Sequence, residues 1–248
     1  MKLEKKINNE TIKSFLFRFA GVLISFFSVP ILIKYLGKES YGFWITISSV
    51  ISWFLIFDFG FGNGLRNFLT KFLSQADNSN SRSVIISSYI IVIFISFLIF
   101  IIGCISLNLI DLSTVFNIHF LTNSEIKYLL IILLSGVCIL FVLQLCQSLF
   151  YSIQEPSKIN LIRTLKQLFI FLIIILLTST DNIFKNLFYI TIINSSIPLI
   201  ILFVFTFYFF YNNRGLIPKI SDINLEIGRQ VMSLGVNMFI LRLSSIFL

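Results

Sequence analysis

Residues 57–74 read FDFGFGNGLRNFLTKFLS. An apolar run over 41–61 ends there in an acid, Asp58, three glycines at alternating positions (Gly60, Gly62, Gly64) and Arg66. Beyond the glycines, Leu65, Phe68, Leu69, Phe72 and Leu73 recur at helical spacing, opposite Arg66, Asn67, Thr70, Lys71 and Ser74. A membrane-crossing helix that stops and continues as a helix lying along the membrane surface gives this pattern. The expectation is an all-α, polytopic integral membrane protein.

Composition supports that class. Of 248 residues, 57% are hydrophobic and 12% charged, with mean hydropathy +0.96. A soluble domain carries about twice that charged fraction. Apolar runs recur over 12–33, 41–61, 84–109, 128–151, 161–179, 187–211 and 231–248, each near or above the length that crosses hydrocarbon. The organisation expected is a six-helix lobe over 1–211, a cytoplasmic linker with a short helix start over 212–230, and at 231–248 the first helix of a second, incomplete lobe. The last run carries no polar flank before the sequence stops, so a longer parent protein is expected. The basic 1–13 segment leads into a full span with no small-residue cleavage site, so the first helix is retained.

A net charge of +8 would point to nucleic acid in a soluble chain. Here the basic residues punctuate apolar runs, which indicates membrane orientation and no nucleic-acid partner. If the spans alternate, one side receives only Lys34, Lys38, Lys127 and Lys185, and Arg242 falls inside the seventh run. The remaining basic residues share a side with the N-terminus. The positive-inside rule then makes the N-terminus cytoplasmic.

An enzyme needs a constellation of groups, and none is legible. GxxxxGK[ST], HExxH and GxSxG are missing from the sequence. Cys104, Cys138 and Cys146 fall in apolar runs without CxxC spacing and read as inert thiols. The lone His119 reads as a solvated loop residue. Neither a metal nor a cofactor is implied.

Charges at membrane depth are the informative residues, since each costs on the order of 3 kcal/mol unless it meets a wet or polar surface. Arg18 sits about 9 Å into the first run and reads either as snorkelling to the interface or as facing a cavity that holds an anion. Arg242 lies near the middle of the seventh run, where snorkelling is harder. Arg163 and Lys166, spaced i, i+3, serve equally as a positive-inside anchor or as the mouth of a phosphate site. The Asp58–Gly60–Gly62–Gly64 group has three readings: a helix end released by glycines, a GxxxG close approach at Gly60 and Gly64, or a titrating acid at Asp58 that couples ions to transport. Asn194-Ser195-Ser196 with Pro198 is either a kink or the lining of a path.

An ordered set of motifs resembles a known family: Arg18…Gly21; Pro30…Leu36-Gly37…Tyr41-Gly42-Phe43-Trp44; Trp53…Asp58-Phe59-Gly60-Phe61-Gly62-Asn63-Gly64-Leu65-Arg66-Asn67; and Leu234-Gly235-Val236-Asn237-Met238-Phe239-Ile240. The family is that of bacterial O-antigen or capsular oligosaccharide flippases, in the multidrug/oligosaccharidyl-lipid/polysaccharide exporter superfamily. The resemblance covers one six-helix lobe and one helix of a second. It implies that an undecaprenyl-pyrophosphate-linked oligosaccharide is flipped across the bacterial cytoplasmic membrane by alternating access, for surface polysaccharide biosynthesis. Membrane lipids, and other polysaccharide-assembly proteins, are the partners it implies. Arg18 and Arg242 would then face an inter-lobe cavity and pair with the pyrophosphate, with Arg163 and Lys166 at its mouth. A drug/cation antiporter would carry acids in its cavity, and a peptidoglycan-precursor flippase would share the lipid pyrophosphate. A membrane-embedded polysaccharide polymerase or ligase would carry a long outer loop. A non-transporting truncated fragment is the remaining alternative.

Overall fold

The computed structural model describes residues 2–56 and 60–247, with side chains placed for 9–50, 60–241 and 244. Its described residues form ten α-helices and two 3-10 turns: α1 (Lys2–Leu36), α2 (Lys38–Ile56), α3 (Phe61–Ser74), α4 (Asn78–Leu109), α5 (Leu112–Phe116), α6 (Asn123–Leu143), α7 (Leu145–Ser152), α8 (Pro156–Leu176), α9 (Ile183–Asn212) and α10 (Leu225–Phe247). Five helical stretches among them are long and apolar enough to cross a membrane: Asn9–Leu36, Asn78–Leu109, Asn123–Ser152, Pro156–Leu176 and Ile183–Asn212. This is an all-α, polytopic membrane architecture. Helices prevail because a chain in hydrocarbon must pair its backbone N–H and C=O groups within itself.

Side-chain chemistry places the helix boundaries. Thr122 and Glu125 form a reciprocal capping box at the start of α6, and the carboxylate of Asp77 accepts from the Asn80 N–H at the start of α4. Asn182 caps α9 through the Lys185 N–H, and Pro156 opens α8 at a position whose N–H would be unpaired anyway. Gly37, at φ +81°, makes the one-residue turn between α1 and α2, a conformation that strains any residue with a Cβ.

The helices pack end over end. One hydrophobic cluster joins Tyr35, Leu36, Phe43, Trp44, Ile126, Leu129, Ile174 and Leu187, so the α1–α2, α4–α6 and α8–α9 connections gather at one end of the bundle. Phe43 seals it edge-to-face on Phe116 with ring centroids 5.3 Å apart. The other cluster, around Leu65, Leu69, Ile85, Leu149, Phe150, Ile159 and Phe209, gathers the α3–α4, α7–α8 and α9–α10 connections. Arg66 stacks over Tyr151 at 4.9 Å and Lys158 over Tyr208 at 5.0 Å at that same end. This is the alternation that the order of the apolar runs anticipated.

Three features refine the sequence expectations. First, α3 is amphipathic, but its apolar stripe faces protein. Leu65 and Leu69 are 0% exposed, packed among α4, α7 and α10, so α3 is part of the lobe core and does not float on its surface. Amphipathic periodicity reports that a stripe is covered and is silent about what covers it. Second, the helix start expected within the linker falls at Leu225, where the Asn224 side chain accepts from the Glu226 and Ile227 N–H groups, and the helix runs on unbroken as α10. Third, the expected fourth span is one helical stretch over Asn123–Ser152 with a local turn at Gln144, and its last 8 residues, α7, pack in the core beside α3.

The linker is fastened to the lobe. Arg82 Nε donates to Asp222 at 3.0 Å, and Ser87 Oγ donates to the Asn224 carbonyl at 3.1 Å. The Asp222 carboxyl sits below the ordinary aspartate range, chiefly because the Lys219 backbone N–H donates to it and then because Arg82 lies beside it. A depressed folded value stabilises the fastened linker above the unfolded value of about 4 and loses that contribution as pH falls through the folded value. Protection factors of amides 219–224, exchange rates corrected for the intrinsic pH dependence, are therefore expected to be high at neutral pH and to fall once pH drops below about 4. Asp222→Asn should abolish that acid step. An unchanged step in this variant would sink the assignment.

Candidate functional site

The site is built on the pairing of α1 with α8. Ser157 donates its backbone N–H to Glu10 at 3.2 Å, and Thr164 Oγ1 donates to the Phe17 carbonyl at 2.6 Å. The two helices thus run parallel, in matching register. Gly21 continues the seam, since a Cβ there would meet the Thr164 hydroxyl at 3.4 Å and the tip of the Gln167 side chain. A small residue is what lets two helices close to this distance in a membrane.

Arg18 and Arg163 each lie one residue from the Phe17–Thr164 bond, so the two sit at one height on the bundle. Both are exposed on the lobe, as are their neighbours Phe15, Phe19 and Val22. Two guanidiniums at one level on an otherwise apolar wall make a surface able to receive an oxyanion through paired N–H donors. Sequence reasoning named both residues but not their proximity, because the parallel α1–α8 pairing leaves no local signal.

Lys166 parts company with Arg163. It is half-buried and lines a partly open cavity of about 270 Å³ between α2, α6, α8 and α9. Asn194, Ser195 and Pro198 of α9 line the same cavity, so the polar patch of the sixth run faces a space within a helix that stays continuous through Pro198. Gly136 makes the approach of α6 to α9 there: a Cβ on it would lie 2.9 Å from the Ser195 Cβ.

The glycines of the opening stretch do two jobs. Gly60 takes φ +71° and turns the chain into α3. Gly60 and Gly64 also admit α10, because a Cβ at Gly60 would run into the Gly235 carbonyl and one at Gly64 would lie 2.5 Å from the Val231 carbonyl. The close-approach reading of GxxxG therefore describes the α3–α10 contact, and Gly62 is buried beside it. Arg66 is exposed and stacks on Tyr151. Asp58 lies outside the described residues, as does the side chain of Arg242, whose backbone belongs to α10. The exposed His119 sits in the connection between α5 and α6, and Cys104, Cys138 and Cys146 carry free thiols, the last two buried.

An all-helical lobe with several helices long and apolar enough to cross a bilayer defines the class: a polytopic membrane protein. Over residues 9–248 the chain matches the family described as polysaccharide biosynthesis protein, and it belongs to that family. It is also 35% identical over 91 residues to a protein of Yersinia pseudotuberculosis named as a candidate O-antigen export protein. That match covers 37% of this chain and 20% of the relative, so the chain spans well under two thirds of the relative's length. No solved structure matches the chain. The family places the chain in polysaccharide biosynthesis.

Proposed function

We propose that the protein flips lipid-pyrophosphate-linked oligosaccharide repeat units across the bacterial cytoplasmic membrane, with its N-terminus on the cytoplasmic side, as one lobe of a two-lobed exporter. Residues 1–211 are the first lobe, 212–230 the cytoplasmic linker, and 231–248 the start of the second lobe. The observation that carries this reading is the pair of exposed guanidiniums, Arg18 and Arg163, level with each other on the α1–α8 wall. A sugar headgroup with a pyrophosphate cannot enter hydrocarbon unaided, and a wet cavity walled by such cations offsets its desolvation. Alternating access would open that cavity first to the cytoplasm and then outward. Arg242, on α10, is assigned to the opposite wall, and Asp58 remains the candidate coupling acid.

The gathering of Arg66, Lys71, Arg82, Lys158 and Arg214 at the α3–α4, α7–α8 and α9–α10 end supports the orientation. The short connections between spans favour transport over the catalysis of a polymerase or ligase. Other polysaccharide-assembly proteins are the partners this role calls for. In the complete protein, Arg18→Ala, Arg163→Ala and Arg242→Ala are each expected to abolish surface glycan at normal protein abundance. Normal glycan in Arg18→Ala and Arg163→Ala would overturn the reading.

A further inference from the structure

We propose that the partly open cavity at Lys166 is a binding site for a small monovalent anion of the halide class, held between α2, α6, α8 and α9 and apart from the exposed Arg18 and Arg163 of the substrate wall. The cavity, about 270 Å³, lies where the two hydrophobic clusters meet, with Leu133 of one and Leu140 of the other on its walls. Its polar lining consists of Ser48, Gln144, Lys166, Asn194 and Ser195.

Charge decides the ligand. Among the described residues Lys166 is the one ionisable side chain on this lining, and the ion pair Arg82–Asp222 lies elsewhere. An ammonium in a low-dielectric interior needs a counter-charge or must lose its proton. The lining offers donors for an anion: the three N–H groups of Lys166, the Gln144 amide and the Ser195 hydroxyl. Asn194 gives one amide N–H to the Ile190 carbonyl at 3.0 Å, and its side-chain carbonyl oxygen is an acceptor for water. Pro198 contributes another acceptor, because it has no N–H to give the Asn194 carbonyl four residues earlier.

Stoichiometry then separates a halide from a phosphate. One cationic group balances one negative charge, whereas a pyrophosphate brings at least two and is tethered to a lipid. At about 30 Å³ per water, the space holds a halide with several waters, whose hydrogens the two acceptors can take. A bound halide neutralises Lys166 and ties α8 to α6 and α9 at the middle of the lobe.

The test uses the purified full chain in detergent micelles, with thermal unfolding followed by circular dichroism. Sodium chloride is titrated against sodium gluconate at constant ionic strength, with sodium pyrophosphate as a third arm. Chloride should raise the unfolding temperature in a saturating manner that gluconate does not reproduce. Lys166→Met should remove the response, while Arg18→Ala should retain it, so failure here is distinct from failure of the flippase reading. If Lys166→Met does not fold, Gln144→Leu should weaken the apparent chloride affinity by about tenfold. Equal unfolding in chloride and gluconate would overturn the site, as would a full response in Lys166→Met or an unchanged affinity in Gln144→Leu. Stronger stabilisation by pyrophosphate through Lys166 would overturn the halide assignment and give the cavity to the substrate.

Discussion

Gly60→Ala is expected to destabilise the lobe by about 3 kcal/mol and to detach α10 from α3. Two costs combine at this position. The residue sits at φ +71°, where an L side chain costs about 1–2 kcal/mol. Its added Cβ would also enter the space of the Gly235 carbonyl, and overpacking of this kind costs about 1–3 kcal/mol because backbone cannot step aside as a side-chain tip can. Gly64→Ala carries the second cost alone, with the Cβ 2.5 Å from the Val231 carbonyl. Gly235→Ala should be milder, since its Cβ would meet Gly60 backbone atoms at 3.2 Å. Gly42→Ala is the control: nothing lies within 4 Å of its Cβ, and alanine favours the helix by up to about 1 kcal/mol. Denaturant titration of the purified variants in micelles should rank them with Gly60 worst, then Gly64, then Gly235, with Gly42 neutral or better. A Gly60→Ala variant as stable as the parent would refute the close α3–α10 seam.

That seam shows where the sequence was legible. The spacing Gly60-x-x-x-Gly64 announced a close approach, but its partner at Gly235 lies far along the chain and has no local signature. The apolar runs and the alternation of their ends were readable because hydrocarbon demands length and continuity. What covers each face was not. The stripe of Leu65 and Leu69 is equally apolar whether lipid or protein lies against it, and only tertiary packing chose protein. Arg163 and Lys166 looked like one patch at i, i+3. Yet such positions are about 60° apart around a helix, enough at the rim of a bundle for one to face out and the other in. The sequence named four cations for one site, and the fold assigns Arg18 and Arg163 to an outer wall and Lys166 to an interior.

Phe150→Ala is expected to cost about 3–5 kcal/mol, through the cavity it leaves. Phe150 is 1% exposed and packs edge-to-face on Phe209 of α9, with centroids 5.4 Å apart at 83°. A second edge contact joins it to Phe205 at 6.2 Å. Its segment, α7, forms the last 8 residues of the Asn123–Ser152 stretch, beyond the turn at Gln144. The contacts of α7 extend to α3: Thr70 Oγ1 donates to the Ser152 carbonyl at 3.5 Å, and Arg66 stacks on Tyr151. Removing the Phe150 ring therefore loosens the support of α3, and with it the face that receives α10. Lipid is as apolar as the lobe interior, so the loss is mainly packing and not transfer from water. For that reason Phe94→Ala on α4, where the ring is 62% exposed, should cost far less although the same atoms are removed. A double-mutant cycle of Phe150→Ala with Phe209→Ala should show about 0.5–1.5 kcal/mol of coupling. Equal costs at Phe150 and Phe94, with no coupling to Phe209, would mean that α7 does not pack where the structure places it.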